Sequence, residues 1–265
     1  MIPYDLKKAT FLIPVKFDSL ERVRNLKVVL RFLSTYVETS ILVMEIGRQC
    51  YFRQQIEDLL DRVEYEFVKD DEDFFHRTRY LNVMIHMCKT NVAVVCDADV
   101  ICHPANIKRA YKFVLEGCDV ALPYSGLFLD VPEIRIPKLL GPPNDFPRVH
   151  DCNILYRDGT GGMVLFNKQS ICTAGYYNEN FKSWGHEDRE LLHRMKIFGQ
   201  QLKHVNGHMY HLHHPRYQDS HPMKNPYFEN NCHEYDRVKS MDLQQLKQYV
   251  ENFAWIKSDT QINNR

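Results

Sequence analysis

Residues 91–100 read NVAVVCDADV, an apolar, largely β-branched run that ends in acid. Branched chains suit the pleated, closely packed surface of a sheet, and a run without polar alternation predicts a strand buried on both faces. Its end, Asp97-Ala98-Asp99, puts two carboxylates where that strand leaves the sheet. Working outward, the same logic predicts strands over 9–15 (ATFLIPV), 39–47 (TSILVMEIG) and 63–68 (VEYEFV). Helical spacing falls between them: Leu20, Val23, Leu26, Leu30 and Leu33 along 19–34, a short helix over 54–60, and Leu81, Met84, Ile85 and Cys88 on one face of 76–89. Strands alternating with helices predict an α/β fold, a Rossmann-like parallel sheet with helices on both faces. Ligands of such sheets sit beyond the carboxyl ends of the strands, which is where Asp97 and Asp99 stand.

The second half is less regular. Residues 123–158, rich in Pro, Gly and charge, predict a long surface loop, and GGMVLF (161–166) a strand. Residues 187–198 predict a helix with Leu191, Leu192, Met195 and Phe198 inward. A His-rich loop over 204–233 follows, then a last helix over 241–256 and a frayed tail to Arg265. The 265 residues suffice for one α/β domain spanning 1–265.

Lys plus Arg and Asp plus Glu number 34 each, so the chain has no general attraction for nucleic acid or anionic membrane. Any anion must be met by a local site. The opening MIPYDLKKATFLIPVKF lacks a secretory leader's pattern, and no window reaches the roughly 18 apolar residues of a spanning helix. The expectation is a cytoplasmic protein with no transmembrane segment and at most peripheral membrane association. The eight cysteines form no C-x-x-C pair, which favours reduced, buried thiols over disulfides or zinc.

Three constellations carry chemistry. Paired carboxylates after a buried strand suit a hard divalent cation that bridges protein and phosphate oxygens; a solvated acid pair in a turn is the bland alternative. An aspartyl-phosphate phosphatase would want D-x-D on the first strand and a Thr two residues on, where Ile101 stands. Seven of the 13 histidines fall between 204 and 233, and His211 and His214 are spaced to grip one ion, although any single His there also reads as a solvated loop residue. Finally, Trp184-Gly185-His186-Glu187-Asp188 opens a helix. Acids are common in first turns for dipole reasons alone. This segment also supplies an aromatic platform for a sugar ring, a Gly for close approach and a carboxylate to take a proton.

Taken in order, these segments resemble the β-1,4-galactosyltransferase family, which has the GT-A fold. Phe74-Phe75-His76-Arg77 through Leu81-Asn82, the Asp97-Ala98-Asp99 strand, and Gly161-Gly162 with Phe166-x-Lys168-Gln169 and Gly175-Tyr176 all match its pattern. So do Trp184-Gly185-His186-Glu187-Asp188 and His211-x-x-His214-x-Arg216. The resemblance covers roughly residues 10–220. It implies a metal-dependent, inverting transferase that moves galactose or N-acetylgalactosamine from a UDP-sugar to a hydroxyl of a carbohydrate or glycolipid acceptor, as in surface polysaccharide synthesis. It divides the domain into a nucleotide-sugar half (1–122), an acceptor and catalytic half (123–233) and a C-terminal helix and tail (234–265).

The resemblance also implies roles. Asp99, His211 and His214 would hold Mn²⁺ or Mg²⁺, and Asp188 would be the catalytic base. Trp184 and Glu187 would meet the acceptor. Pro14, Val15, Lys16, Arg77, Asp97 and Gly162 would bind the donor, and Glu45 would reach the uracil. In the family, the residue two before the Gly-Gly pair lies against the 2-position of the donor sugar. Here it is Gly159, which implies room for an N-acetyl group. The chain departs from the pattern at Asp18, where the family is basic, and at His186, where it has Gly. Two rivals stay open at this stage. One is a sugar-nucleotide enzyme such as a hydrolase or a nucleotidyltransferase, although the latter wants a Gly-rich loop that IPVKFDS lacks. The other is a non-catalytic carbohydrate-binding protein or scaffold.

Overall fold

The apolar run after the N-terminus becomes β1 (Tyr4–Val15), with residues 9–15 all buried, in a computed structural model that describes residues 2–217 and 221–255. Helix α1 (Leu20–Tyr36) begins at Ser19, whose side chain accepts from the Arg22 N–H as a helix cap. It buries Val23, Leu26, Leu30 and Leu33, while Leu20 is 77% exposed, so its apolar face starts one turn later than the spacing suggested. Next come β2 (Val37–Gly47), the short α2 (Phe52–Gln55) with a 3₁₀ turn at Glu57–Leu59, β3 (Glu64–Lys69) and α3 (Arg77–Met87). Then follow β4 (Val92–Cys96), β5 (Val100–Cys102), α4 (Pro104–Leu115), β6 (Val120–Leu122), β7 (Leu127–Val131) and β8 (Asn153–Tyr156). The chain continues through β9 (Met163–Asn167), α5 (Lys168–Thr173), α6 (Glu187–Ile197), β10 (Leu202–His204), β11 (His208–Leu212), α7 (Phe228–Lys239) and α8 (Leu243–Glu251).

A seven-stranded sheet runs β10-β6-β9-β4-β1-β2-β3, and a four-stranded sheet runs β5-β11-β7-β8. The expected α/β architecture is present, with three corrections. The large sheet is mixed, because β9 lies antiparallel between β4 and β6. Hydrophobic pattern reveals a strand but not its direction. NVAVVCDADV is two strands: the chain turns at Asp97-Ala98-Asp99, and β5 joins the small sheet. Both halves are equally buried, so the pattern reads as one. Residues 123–158 are no surface loop. They build β7, β8 and three 3₁₀ turns and bury Leu129, Val131, Ile136, Leu139 and Phe146.

The His-rich stretch likewise holds the last residue of β10, all of β11 and the start of α7. Helix α4 and strand β6 fall between the expected elements. The frayed tail expected after α8 lies, from residue 256 on, outside the described residues. One cluster of buried residues runs through both sheets. From beyond residue 122, β9 and β10 return to the large sheet, while β5, before it, joins the small one. All eight cysteines are free, and four of them (Cys88, Cys96, Cys102 and Cys118) are buried. Among the described residues, no helix is long and apolar enough to cross a membrane.

Candidate functional site

The turn between β4 and β5 is the hub of the site. The Asp97 N–H donates to the Gly162 carbonyl at 2.7 Å, and the Asp99 carbonyl accepts from the Leu212 N–H at 2.7 Å. These bonds fasten the turn to β9 on one side and to β11 on the other. A cleft opens beside it, lined by Pro14, Val15, Lys16, Arg77, Asp97 and Asp99, and reaching His211 and His214. A second cavity holds Gly161, Gly162, Glu187 and Asp188. Asp97, Phe128, Tyr156 and Trp184 line both and form the wall between them.

On the first side, one ligand atom each from Asp99, His211 and His214 lies within 4.8 Å of the others. His211 follows from pairing: it sits opposite Val100 in the β5–β11 ladder, one residue beyond Asp99. Each imidazole is oriented from behind. His211 Nδ1 lies 3.0 Å from Asp130 Oδ1, and His214 Nδ1 lies 2.8 Å from the Pro215 carbonyl. Both partners are acceptors, so each Nδ1 is the donor there and Nε2 is the ring nitrogen left to ligate, the arrangement of metal-ligating histidines. His214 Nε2 stands 3.0 Å from Asp99 Oδ2. Burial works against ionisation of Asp99. The His214 hydrogen bond and the charges of Arg22 and His211 overcome it and hold this carboxyl far below the usual range. Asp130, also bonded to His213 at 2.8 Å, is lowered too, by His211 and His213 against its burial. One carboxylate oxygen and two imidazole nitrogens fit a divalent transition-metal ion such as Mn²⁺ better than Mg²⁺, which prefers all-oxygen shells.

Toward the second cavity, carboxylates crowd around one guanidinium, that of Arg77, which itself lines the first cleft. Arg77 donates to Asp97 Oδ1 at 2.7 Å and stands 3.5 Å from Asp188 Oδ1 and 3.6 Å from Glu187 Oε1. Asp188 Oδ1 also accepts from the Tyr177 hydroxyl at 3.1 Å, while Oδ2 points at Gly161, where an added Cβ would come within 2.0 Å of it. Glu187 and Asp188 occupy the first turn of α6, entered through His186 in the left-handed region (φ 68°). Glu187 Oε2 accepts from the Gly185 N–H at 2.9 Å. Burial, reinforced by the Asp188 charge, pushes the Glu187 carboxyl up to about 7. Burial, with Asp99 and Asp188 nearby and Arg77 opposing, raises Asp97.

The remaining expected residues line the two cavities, except Glu45. The Lys16 ammonium lies on the cleft but donates to the carbonyls of Glu72 and Asp73, at 2.8 and 2.7 Å. Glu45 is buried and does not line the cleft. Its carboxylate accepts from the N–H groups of Tyr51 and Phe52 and from the Tyr65 hydroxyl, so it clamps the turn into α2. That saturation is at odds with the expected uracil contact. Gly162, at φ +78°, has no room for a side chain beside Met209. The room expected at Gly159 is already filled: an added Cβ would fall 2.2 Å from Phe128 Cε1. The Trp184 ring stacks on Phe228 at 5.8 Å, and its carbonyl accepts from Asn225 at 2.7 Å.

Arg22, Asp130, Tyr177, Phe128 and Tyr156 were not foreseen. Asp130 left a faint signal as the lone acid in the apolar LFLDV, and Arg22 as an i,i+4 partner of Asp18; the others left none.

Residues 147–215 match the sequence model of a family described as the N-terminal domain of galactosyltransferase. A chondroitin synthase from Escherichia coli is 38% identical over 58 residues, which is 22% of this chain and 8% of that protein. Among solved structures, the mannosyltransferase PcManGT from Pyrobaculum calidifontis, in complex with GDP-Man and Mn²⁺, superimposes with a TM-score of 0.56 at 9% identity, covering 94% of this chain and 69% of that one. The catalytic domain of Drosophila β1,4-galactosyltransferase 7, in complex with xylobiose, gives 0.44 at 16% identity over 76% and 64% of the respective chains. The expected GT-A fold is thus met, and the family whose model matches is one of glycosyltransferases, as the sequence motifs implied.

Proposed function

We propose that this chain, whose fold is GT-A and part of which matches a galactosyltransferase family model, is a metal-dependent, inverting glycosyltransferase using a UDP-sugar donor and a carbohydrate or glycolipid acceptor. One observation carries this reading: a metal-ligand trio and a base-like carboxylate open into adjoining cavities that share a single wall of Asp97, Phe128, Tyr156 and Trp184. The reacting carbon must touch both a leaving diphosphate and an attacking hydroxyl, so it belongs at that wall.

Asp99, His211 and His214 would hold Mn²⁺, which supplies charge to the departing diphosphate. Asp188 takes the proton of the acceptor hydroxyl. Its Oδ1 is fixed by Tyr177 and Arg77, which leaves Oδ2 to face the second cavity. Trp184, backed by Phe228, offers the acceptor ring a flat apolar face. Arg77 spreads its charge over Asp97, Glu187 and Asp188 and lets three carboxylates stand together. Pro14 and Val15 line the nucleotide side. For the sugar itself, galactose or N-acetylgalactosamine, Phe128 rather than Gly159 would set the room available. The test is thermal shift with a panel of nucleotide sugars, with and without Mn²⁺, followed by product analysis with acceptor present and absent. Stabilisation by a UDP-sugar only in Mn²⁺, with transfer to the acceptor, is the expected result. Donor hydrolysis that ignores the acceptor would replace this reading by a hydrolase.

A further inference from the structure

We infer that Arg22 is an exchangeable cation of the donor cleft, which competes with a divalent metal for Asp99 and serves as a ligand to the donor's diphosphate once the metal is in place; this rests on the reading above. Arg22 stands in the first turn of α1, its side chain 16% exposed on the wall of the cleft. Nε and Nη2 grip the two oxygens of Asp18 at 3.1 and 2.9 Å, and Nη1 donates to Asp99 Oδ2 at 2.7 Å. This is the oxygen that lies 3.0 Å from His214 Nε2, and Asp99 is the one carboxylate of the trio. A metal ion held by the trio therefore meets a guanidinium on its own ligand, and like charges at that distance oppose one another.

The other cations lining this cleft are engaged elsewhere. Lys16 holds two backbone carbonyls, Arg77 spans Asp97 and Asp188, and Arg216 donates to the Tyr156 hydroxyl at 2.9 Å. Arg22 alone of these shares a partner with the metal. A diphosphate reverses the balance, because its negative charge sits well between two cations and a planar guanidinium matches phosphate oxygens. Asp18 keeps the guanidinium at the cleft while Asp99 turns to the metal. Metal and diphosphate binding become coupled, each tightening the other.

The test is Arg22→Gln, with Mn²⁺ affinity measured calorimetrically without nucleotide, and UDP and uridine affinities measured at saturating Mn²⁺. Two opposed shifts are expected. Without nucleotide the variant binds Mn²⁺ several-fold tighter, whereas its UDP affinity falls about tenfold with uridine affinity unchanged, the size expected for one charge-assisted phosphate contact. Arg22→Lys, which keeps the charge, should hold Mn²⁺ as the wild type does. Should Arg22→Gln fail to fold, Asp18→Asn replaces it: Arg22 then leans on Asp99 alone, and Mn²⁺ binding weakens. Unchanged or weaker Mn²⁺ binding in Arg22→Gln, unchanged UDP binding, or tighter Mn²⁺ binding in Asp18→Asn overturns the inference. A wild type that binds neither Mn²⁺ nor UDP removes the functional reading itself. One that binds both, without the opposed shifts, overturns only the role of Arg22.

Discussion

Asp97 and Asp99 are two residues apart on one turn, yet they belong to opposite electrostatic regions. Asp99 is one carboxylate among Arg22, His211 and His214, and it is held ionised far below its ordinary range. Asp97 joins Glu187 and Asp188 around the single guanidinium of Arg77, and there burial and mutual repulsion push carboxyls up. The first region is arranged to keep an anion charged and to concentrate positive charge. The second raises two of its carboxyls, Asp97 and Glu187, by burial and by the charges of neighbouring carboxylates. On the proposed reading, departure of a diphosphate would use the first region and deprotonation of the acceptor hydroxyl the second. Perturbed carboxyls of opposite sense, Asp99 lowered and Glu187 raised, in adjoining cavities are a physical mark of a candidate functional site.

The largest effect should come from removing the anion of the first region. Asp99→Ala is expected to abolish Mn²⁺-dependent UDP binding and transfer together, and a chelator should do the same to the wild type. Transfer that survives chelation would break the comparison at its root. On the second side, Asp188→Asn keeps shape and removes proton acceptance. Turnover should fall about 10²–10⁴-fold with donor binding intact. Near-normal turnover would move the base to Glu187.

Gly161→Ala tests the placement of that carboxylate without touching it. The new methyl would sit 2.0 Å from Asp188 Oδ2, and displacing a base by about 1 Å costs on the order of 10²-fold in turnover. The check is a kcat fall with unchanged UDP affinity and unchanged far-UV circular dichroism. The partition can be sharpened through Phe128. Phe128→Ala should raise kcat/KM for UDP-GalNAc relative to UDP-galactose by roughly tenfold, the scale of a few methylenes in a pocket. An unmoved ratio would clear Phe128 of that role.

The smallest effect is a pH dependence of stability. The Glu187 carboxyl rises from 4.5 to about 7 on folding, so it favours the folded state below pH 4.5, and that contribution is lost as pH climbs through about 7. Thermal unfolding of Glu187→Gln against the wild type should show a fall over this window in the wild type alone. Parallel curves would mean that Glu187 does not titrate there.

The order in which residues become legible has a physical basis. Strand and helix positions up to β4 follow from local periodicity, because one buried face is enough to impose a period on the sequence. Asp99, His211, His214, Glu187 and Asp188 stand out in the sequence because few side chain types suit such chemistry and these sit in short motifs; the fold brings them to adjoining cavities. Glu45 shows the limit of that approach. A carboxylate at a strand end reads as a ligand until the structure reveals four donors already on it, the N–H groups of residues 51 and 52, the Tyr65 hydroxyl and the Cys50 thiol. Gly159 shows it again, since absence of a side chain reads as space, and the space belongs to Phe128 of another strand.

By itself, then, the sequence determined the α/β class, the acidic strand end, the two histidines and the helix that opens with Glu187 and Asp188. These are properties of short segments, each set by local burial or by the chemistry of a few side chains. Only the tertiary structure decided that the acidic strand breaks between two sheets, that β9 runs antiparallel, that Asp130 stands behind His211, and that Arg22 and Arg77 divide the carboxylates between them. Those outcomes depend on contacts between residues 20 to more than 100 positions apart, such as Arg77 with Asp97 and Asp188. Charge and packing act through space, and a linear pattern carries no record of which distant segment will supply the partner.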